Sequence, residues 1–117
     1  MNTGPKSPIT THVLELGTGL PATGVAVTLC QITHTGTGIP VVSGETDADG
    51  RLMNWFNTAL AAGRYRLTFA TGAWYAAQGK DTFYPEISLD FQVNDPDVHY
   101  HVPLLLNQWG YSTYRGS

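Results

Sequence analysis

"ISLDFQV", residues 87–93, decides the fold. Ile87, Leu89, Phe91 and Val93 fall on one side of an extended chain, with Ser88, Asp90 and Gln92 on the other. Successive side chains of a strand point to opposite faces, so this period of two describes a strand with one buried face. The same pattern recurs upstream in "RYRLTF", residues 64–69, where Tyr65, Leu67 and Phe69 oppose Arg64, Arg66 and Thr68. In "VAVTLCQI", residues 25–32, Val25, Val27 and Leu29 oppose Ala26, Thr28 and Cys30.

Outward from these runs the chain is a series of short strands and turns. "ITTHVLELGTGLPATG" reads as a strand followed by a Gly/Pro turn, "THTGTGIP" as a loop and "VVSGET" as a short strand. "DADGR", residues 47–51, carries turn chemistry, because Asp-Gly supplies the positive φ that a tight reversal needs. "HYHVPLLL" and "YSTYR" are the last two strand-like runs. Many short alternating runs with regular turns predict an all-β sandwich or barrel. One stretch, "GAWYAAQGKDTFYPE", lacks alternation, and a short helix is expected at about 73–79. Residues 1–8, polar with Gly and Pro, read as a disordered lead-in to one domain over residues 9–117.

The bulk numbers narrow the function. A chain of 117 residues has room for one domain with a modest core. Its six basic residues, Lys6, Arg51, Arg64, Arg66, Lys80 and Arg115, form no cluster, and the net charge is −3. That balance argues against a nucleic-acid or anionic-membrane partner. A single cysteine, Cys30, permits neither an intrachain disulfide nor a cysteine metal cage. No apolar segment at the N-terminus resembles a secretory signal or membrane anchor, so a cytoplasmic location is expected.

Few residues could carry chemistry. His99 and His101, two apart in a strand, project from the same face, opposite Tyr100, Val102, Leu104 and Leu106, which read as core. Pro103 follows on the histidine face and suits an edge strand, or a strand meeting another subunit, better than a central one. The pair is open to three readings: ordinary hydrogen-bonded histidines, a metal site completed by His12 or His34, or acid/base groups. Arg51 is either a solvated turn residue or a planar fork that binds an oxygen-rich substrate with paired hydrogen bonds. Local spacing alone does not bring Arg51, His12 and the histidine pair together. Nor does it give Ser117 a role, since no Gly-x-Ser-x-Gly elbow surrounds it.

Taken together, "THVLELGTGLPA", "TDADGR", "FYPEISLDF" and "HYHVPLLLNQWGYSTYRGS" resemble the transthyretin-like proteins, and within them the 5-hydroxyisourate hydrolases. The closing Tyr-Arg-Gly-Ser is what separates those hydrolases from the thyroid-hormone carriers of the same fold. The resemblance implies an eight-stranded prealbumin-like β-sandwich with one short helix, assembled as a homotetramer (a dimer of dimers) with sites at the dimer–dimer interface. It implies hydrolysis of 5-hydroxyisourate, a small-molecule substrate from urate breakdown, with no metal or organic cofactor. Catalytic positions then fall on His12, Arg51, His101 and Ser117, and substrate-binding positions on His12, Arg51, Tyr114 and Arg115. His99 matches a supporting histidine. Glu15 stands where the family commonly has Asp, and Asn107 where it usually has Ser. A carrier without catalysis is the alternative on the same fold.

Overall fold

The alternating runs become strands in the computed structural model, which describes residues 6–116. In chain order they are β1 (Ile9–Glu15), β2 (Leu20–Pro21), β3 (Ala26–Ile32), β4 (Gly38–Glu45), β5 (Arg51–Leu52) and β6 (Gly63–Phe69). Helix α1 (Thr71–Ala76) follows, then β7 (Ile87–Val93), β8 (Tyr100–Leu106) and β9 (Tyr111–Thr113). One sheet has the order β4-β3-β6-β7; the other runs β2-β1-β8-β9, with β5 also paired to β1. This is the expected sandwich with one short helix. The ninth strand is the two-residue β2, a segment the sequence places in a turn. Among the described residues no helix is long and apolar enough to cross a membrane.

The core lies where alternation puts it. Val27, Leu29, Leu67, Phe69, Ile87, Leu89 and Val93 of one sheet meet Val13, Val102, Leu104 and Leu106 of the other, all buried. Full burial of such a side chain is worth roughly 1.5–3 kcal/mol. Phe91, at the β7 edge, is only half-buried and stacks on Tyr65 with ring centroids 6.3 Å apart.

Three departures from the sequence reading have local causes. Helix α1 starts at Thr71 rather than near residue 73, because Gly72 is a close-approach glycine and not a breaker. Its amide donates to Pro85 O at 2.9 Å, and a Cβ there would lie 2.6 Å from that oxygen. β4 begins at Gly38 and takes in Pro40, read as loop; the strand is a sheet edge with a bulge opposite Leu29/Cys30, where proline is tolerated. The lead-in is the third. Met1–Pro5 lie outside the described residues, but Ser7 is buried, and its hydroxyl accepts the Trp55 and Phe56 amides at 2.8 and 3.0 Å.

Pro103 requires a correction that bears on the site. β8 is not an edge: it lies between β1, parallel, and β9, antiparallel. The Tyr100 amide donates to Pro8 O and Leu106 O accepts from Leu16, so even-numbered β8 residues turn their peptide groups toward β1. His101 O accepts from Gly116, so odd-numbered residues face the β9 side. The missing Pro103 amide therefore falls beside Tyr114, just where β9 ends at Thr113. The chain peels away there and rejoins β8 at the isolated His101–Gly116 bridge. Thr113 Oγ1 satisfies Pro103 O at 2.7 Å. Proline is tolerated inside the sheet because the ladder it would break is already interrupted.

Candidate active site

Arg51 is delivered by its turn. Asp47 Oδ1 accepts the Asp49 and Arg51 amides at 2.9 and 3.0 Å, and Gly50 N donates to Asp47 O at 2.9 Å. Gly50 has φ +74°, and a Cβ on it would sit 2.5 Å from Val13 O, so only glycine fits. Gly50 O in turn accepts the Val13 amide at 2.7 Å. Clamped to β1 in this way, the turn starts β5 with Arg51 directly opposite His12.

Register does the rest. β1 also pairs with β8, matching Thr10 to His101 and His12 to Pro103. Residues paired across neighbouring strands project from the same face of a sheet. Thr10, His12, Arg51, His99, His101 and Pro103 therefore share the outer face, while Val13, Val102 and Leu104 fill the core behind them. Residues from three strands, far apart in sequence, form one row.

His101 is held on three sides. Its Nδ1 lies 2.7 Å from Thr10 Oγ1, and the same oxygen lies 2.9 Å from His99 Nε2. The two imidazoles are near-parallel at 25°, with centroids 6.5 Å apart. Gly116 packs on the ring from the tail: a Cβ there would lie 2.6 Å from His101 Cδ2. The glycine of Tyr-Arg-Gly-Ser is needed for this close approach, since its φ is not among the positive ones.

The electrostatics keep all three histidines neutral near pH 7. His101 is pushed below the usual imidazole value first by burial, then by repulsion of its charged form by His99, Arg51, His12 and Lys6 when these carry charge. His12 is lowered by burial and by Arg51, against a hydrogen bond that its ring donates to the Asp49 backbone and the charges of Asp47 and Asp49. His99 is lowered by burial and by Lys6. A neutral imidazole beside a guanidinium can take a proton from water while the guanidinium steadies negative charge. Among the described residues no group of three or more His, Cys, Asp or Glu side chains is placed to share a metal ion.

The tail residues are arranged differently. Tyr114 and Arg115 line a cavity of about 330 Å³ with Leu89, Phe91, Tyr100 and His101, to which neither His12 nor Arg51 contributes. The Arg115 guanidinium sits 4.8 Å over the Tyr100 ring, a cation–π contact. His101 thus belongs both to the outer row and to this edge cavity. Ser117 lies outside the described residues. Thr10, which bridges the two histidines, is missed by the sequence reading. Its only signal was position, two residues before His12, and that means nothing until β1 is known to pair with β8.

Comparison with known proteins fits this geometry. A model described as "HIUase/Transthyretin family" matches residues 9–116, all but a few of the described positions. The chain belongs to that family. A 5-hydroxyisourate hydrolase of Salmonella typhimurium is 46% identical over 110 residues, covering 93% of this chain and 80% of its own. Among family structures, the Klebsiella pneumoniae 5-hydroxyisourate hydrolase superposes with a TM-score of 0.83 at 39% identity, covering 93% of this chain and 98% of that one. Sea bream transthyretin in complex with thyroxine superposes with a TM-score of 0.85 at 31% identity, covering 93% and 94%. Hydrolases and carriers of the family share one backbone, so the fold alone does not separate them. The side chains on the sheet face must.

Proposed function

We propose that this protein is a hydrolase that opens the six-membered ring of 5-hydroxyisourate to 2-oxo-4-hydroxy-4-carboxy-5-ureidoimidazoline in urate degradation. The observation that carries the reading is the row formed by His12, Arg51 and His101, one from each of β1, β5 and β8. It lies in a chain whose 39% identity to the Klebsiella pneumoniae hydrolase exceeds its 31% identity to the thyroxine-bound carrier over the same share of the chain.

The chemistry follows from the residue types. Hydrolysis of a ring carbonyl needs a water that gives up a proton, an anionic oxygen that is stabilised and a leaving nitrogen that is protonated. His101 takes the water's proton, a role worth typically ~10²–10⁴-fold. His12 helps hold the water from the neighbouring strand. Arg51 orients the substrate's oxygens and stabilises charge as it develops. Tyr114 and Arg115 form the pocket wall beside His101, and Ser117 offers a hydroxyl as a hydrogen-bonding group. The reading uses no metal and no organic cofactor.

The single chain leaves the row on an open sheet face. Leu16, Leu20, Trp109 and Tyr111 are large apolar side chains at least two-fifths exposed. Both features support a homotetramer, a dimer of dimers in which a second copy covers the face and completes the site; the cytoplasm is the compartment this reading assigns to it. The test is a coupled ultraviolet assay in which urate oxidase generates 5-hydroxyisourate in place. Decay faster than the spontaneous rate and unchanged by chelator supports the reading; an unaccelerated decay refutes it. The carrier reading, favoured by the likeness to the thyroxine complex, predicts instead saturable thyroxine binding without turnover.

A further inference from the structure

Thr10 is fully buried on the outer face of β1, and its Oγ1 is shared by His101 Nδ1 at 2.7 Å and His99 Nε2 at 2.9 Å. A hydroxyl has one proton to donate. It can donate to only one of the two rings, and the other ring nitrogen must then carry the hydrogen. Whenever the Thr10 hydroxyl donates to one of the rings, the tautomers of His99 and His101 are tied to each other through it. If Thr10 donates to His99, His101 carries its proton on Nδ1 and has a free lone pair on Nε2. If Thr10 donates to His101, the Nε2 of His101 carries the proton and the ring is an acid. His99 is exposed and lines a second surface cavity with Lys6, Ser7, Pro8, Pro96, Asp97 and Val98. The chain of hydrogen bonds thus runs from the site row to solvent on another part of the surface.

We propose that Thr10 is a positioning residue that holds His101 with Nε2 unprotonated at rest, and that Thr10 and His99 relay the charge His101 acquires out of the site. The proposal rests on the hydrolase reading above. Water gives a proton to His101 Nε2 while its oxygen bonds to the ring carbonyl carbon. The Nδ1 proton of His101 passes to Thr10 Oγ1, and the former Thr10 proton passes to His99 Nε2. His101 ends neutral with a proton on Nε2, Thr10 is unchanged, and His99, protonated on both nitrogens, holds the positive charge. When the leaving nitrogen takes the Nε2 proton from His101, the shifts run backwards and the resting state returns. Base and acid are one imidazole, and the charge is kept away from Arg51, which needs the neighbourhood for the anionic oxygen. The groups facing His99 are Thr10, His101, Lys6 and Asp97.

Three variants and one spectrum test this in the full chain. Thr10→Val keeps the shape and removes the hydroxyl; kcat on 5-hydroxyisourate is expected to fall roughly tenfold or more, within the range of a general base, with KM unchanged. Thr10→Ser restores the hydroxyl and is expected to recover most of that loss. His99→Ala leaves Thr10 in place but ends the relay, and is expected to lower kcat without moving KM. Independently of any substrate, ¹⁵N resonances of His101 at neutral pH are expected to report the Nδ1–H tautomer in the wild type and a shift toward Nε2–H in Thr10→Val. Wild-type kcat in Thr10→Val, equal losses in the Val and Ser variants, wild-type kcat in His99→Ala, or a wild-type His101 already in the Nε2–H form would each overturn the proposal. A wild-type protein without turnover sinks the hydrolase reading instead, and the tautomer spectrum still judges the positioning role.

Discussion

Replacing Gly116 with alanine should disable the site while leaving the sandwich folded. The added Cβ would lie 2.6 Å from His101 Cδ2 and 3.3 Å from both Cγ and the His101 carbonyl oxygen. Carbon atoms rest about 3.5–4.0 Å apart, so the ring and the tail must separate by about 1 Å. Neither partner can yield freely. The ring is held on its other side by Thr10 at 2.7 Å, and the Gly116 backbone is held by its 2.8 Å bond to His101 O. If the ring moves, the proposed base is misplaced; if the tail moves, Tyr114 and Arg115 leave His101. A misplacement of about 1 Å can cost on the order of 10²-fold in rate. That corresponds to about 2.7 kcal/mol at 1.36 kcal/mol per tenfold. The assay is kcat/KM by decay of 5-hydroxyisourate absorbance, with thermal unfolding as the control. Because Gly116 makes only an isolated bridge and no core contact, Tm should move little. An alanine variant with turnover within about threefold of wild type, against the ~10²-fold expected, would refute the close-packing argument.

Arg51→Ala should reduce turnover by two or more orders of magnitude with the fold intact, a loss on the scale of removing one oxyanion-stabilising group. The turn survives because Arg51 contributes to it only through its backbone, bonded to Asp47; urea unfolding alongside kcat checks both halves. The histidines give a pH signature. His12, His99 and His101 are all held below 6.5, so the unfolded chain binds more protons than the folded one just below that pH. Their contribution to stability should be level above about pH 6.5 and fall as pH drops through the folded values, read as the urea midpoint against pH. The acid limb of kcat/KM should likewise have an apparent pKa below 6.5, the ordinary imidazole value. Tyr75→Phe should cost about 1.5–3 kcal/mol, the usual worth of a hydrogen bond to a charged group, measured by chemical denaturation. It removes the 2.6 Å bond from Tyr75 to the buried Glu15 carboxylate that ties α1 to the end of β1. The Tyr75 hydroxyl and the Thr18 amide hold Glu15 below 4.5 despite burial, so this stabilisation is present above that pH and is lost as pH falls through the folded value.

Much of this was legible in the chain because the information is local. Alternation in residues 64–69 and 87–93 names the buried face, since a strand's side chains alternate regardless of its neighbours. "DADGR" names its own turn, because Asp capping and a positive-φ glycine are properties of five consecutive residues. The helix start and Pro40 were misread for the converse reason. Gly72 is glycine because of Pro85, and Pro40 is tolerated because β4 is an edge, and neither fact is local. Pro103 shows the limit most clearly. Its sequence suggests an edge strand, yet it sits in the middle of a sheet, where its missing amide faces the point at which the tail departs.

By itself the sequence determined the strands, the faces they bury, the Asp-Gly turn and, through its resemblance, the family to which the side chains belong. The tertiary structure alone decided which of those side chains meet. His12, Arg51 and His101 are neighbours because β1 pairs with β5 on one side and β8 on the other, and pairing register is a property of strands distant in the chain. The same register sets Thr10 beside His101 and His99. No spacing along the chain encodes a hydrogen bond between residues about ninety positions apart.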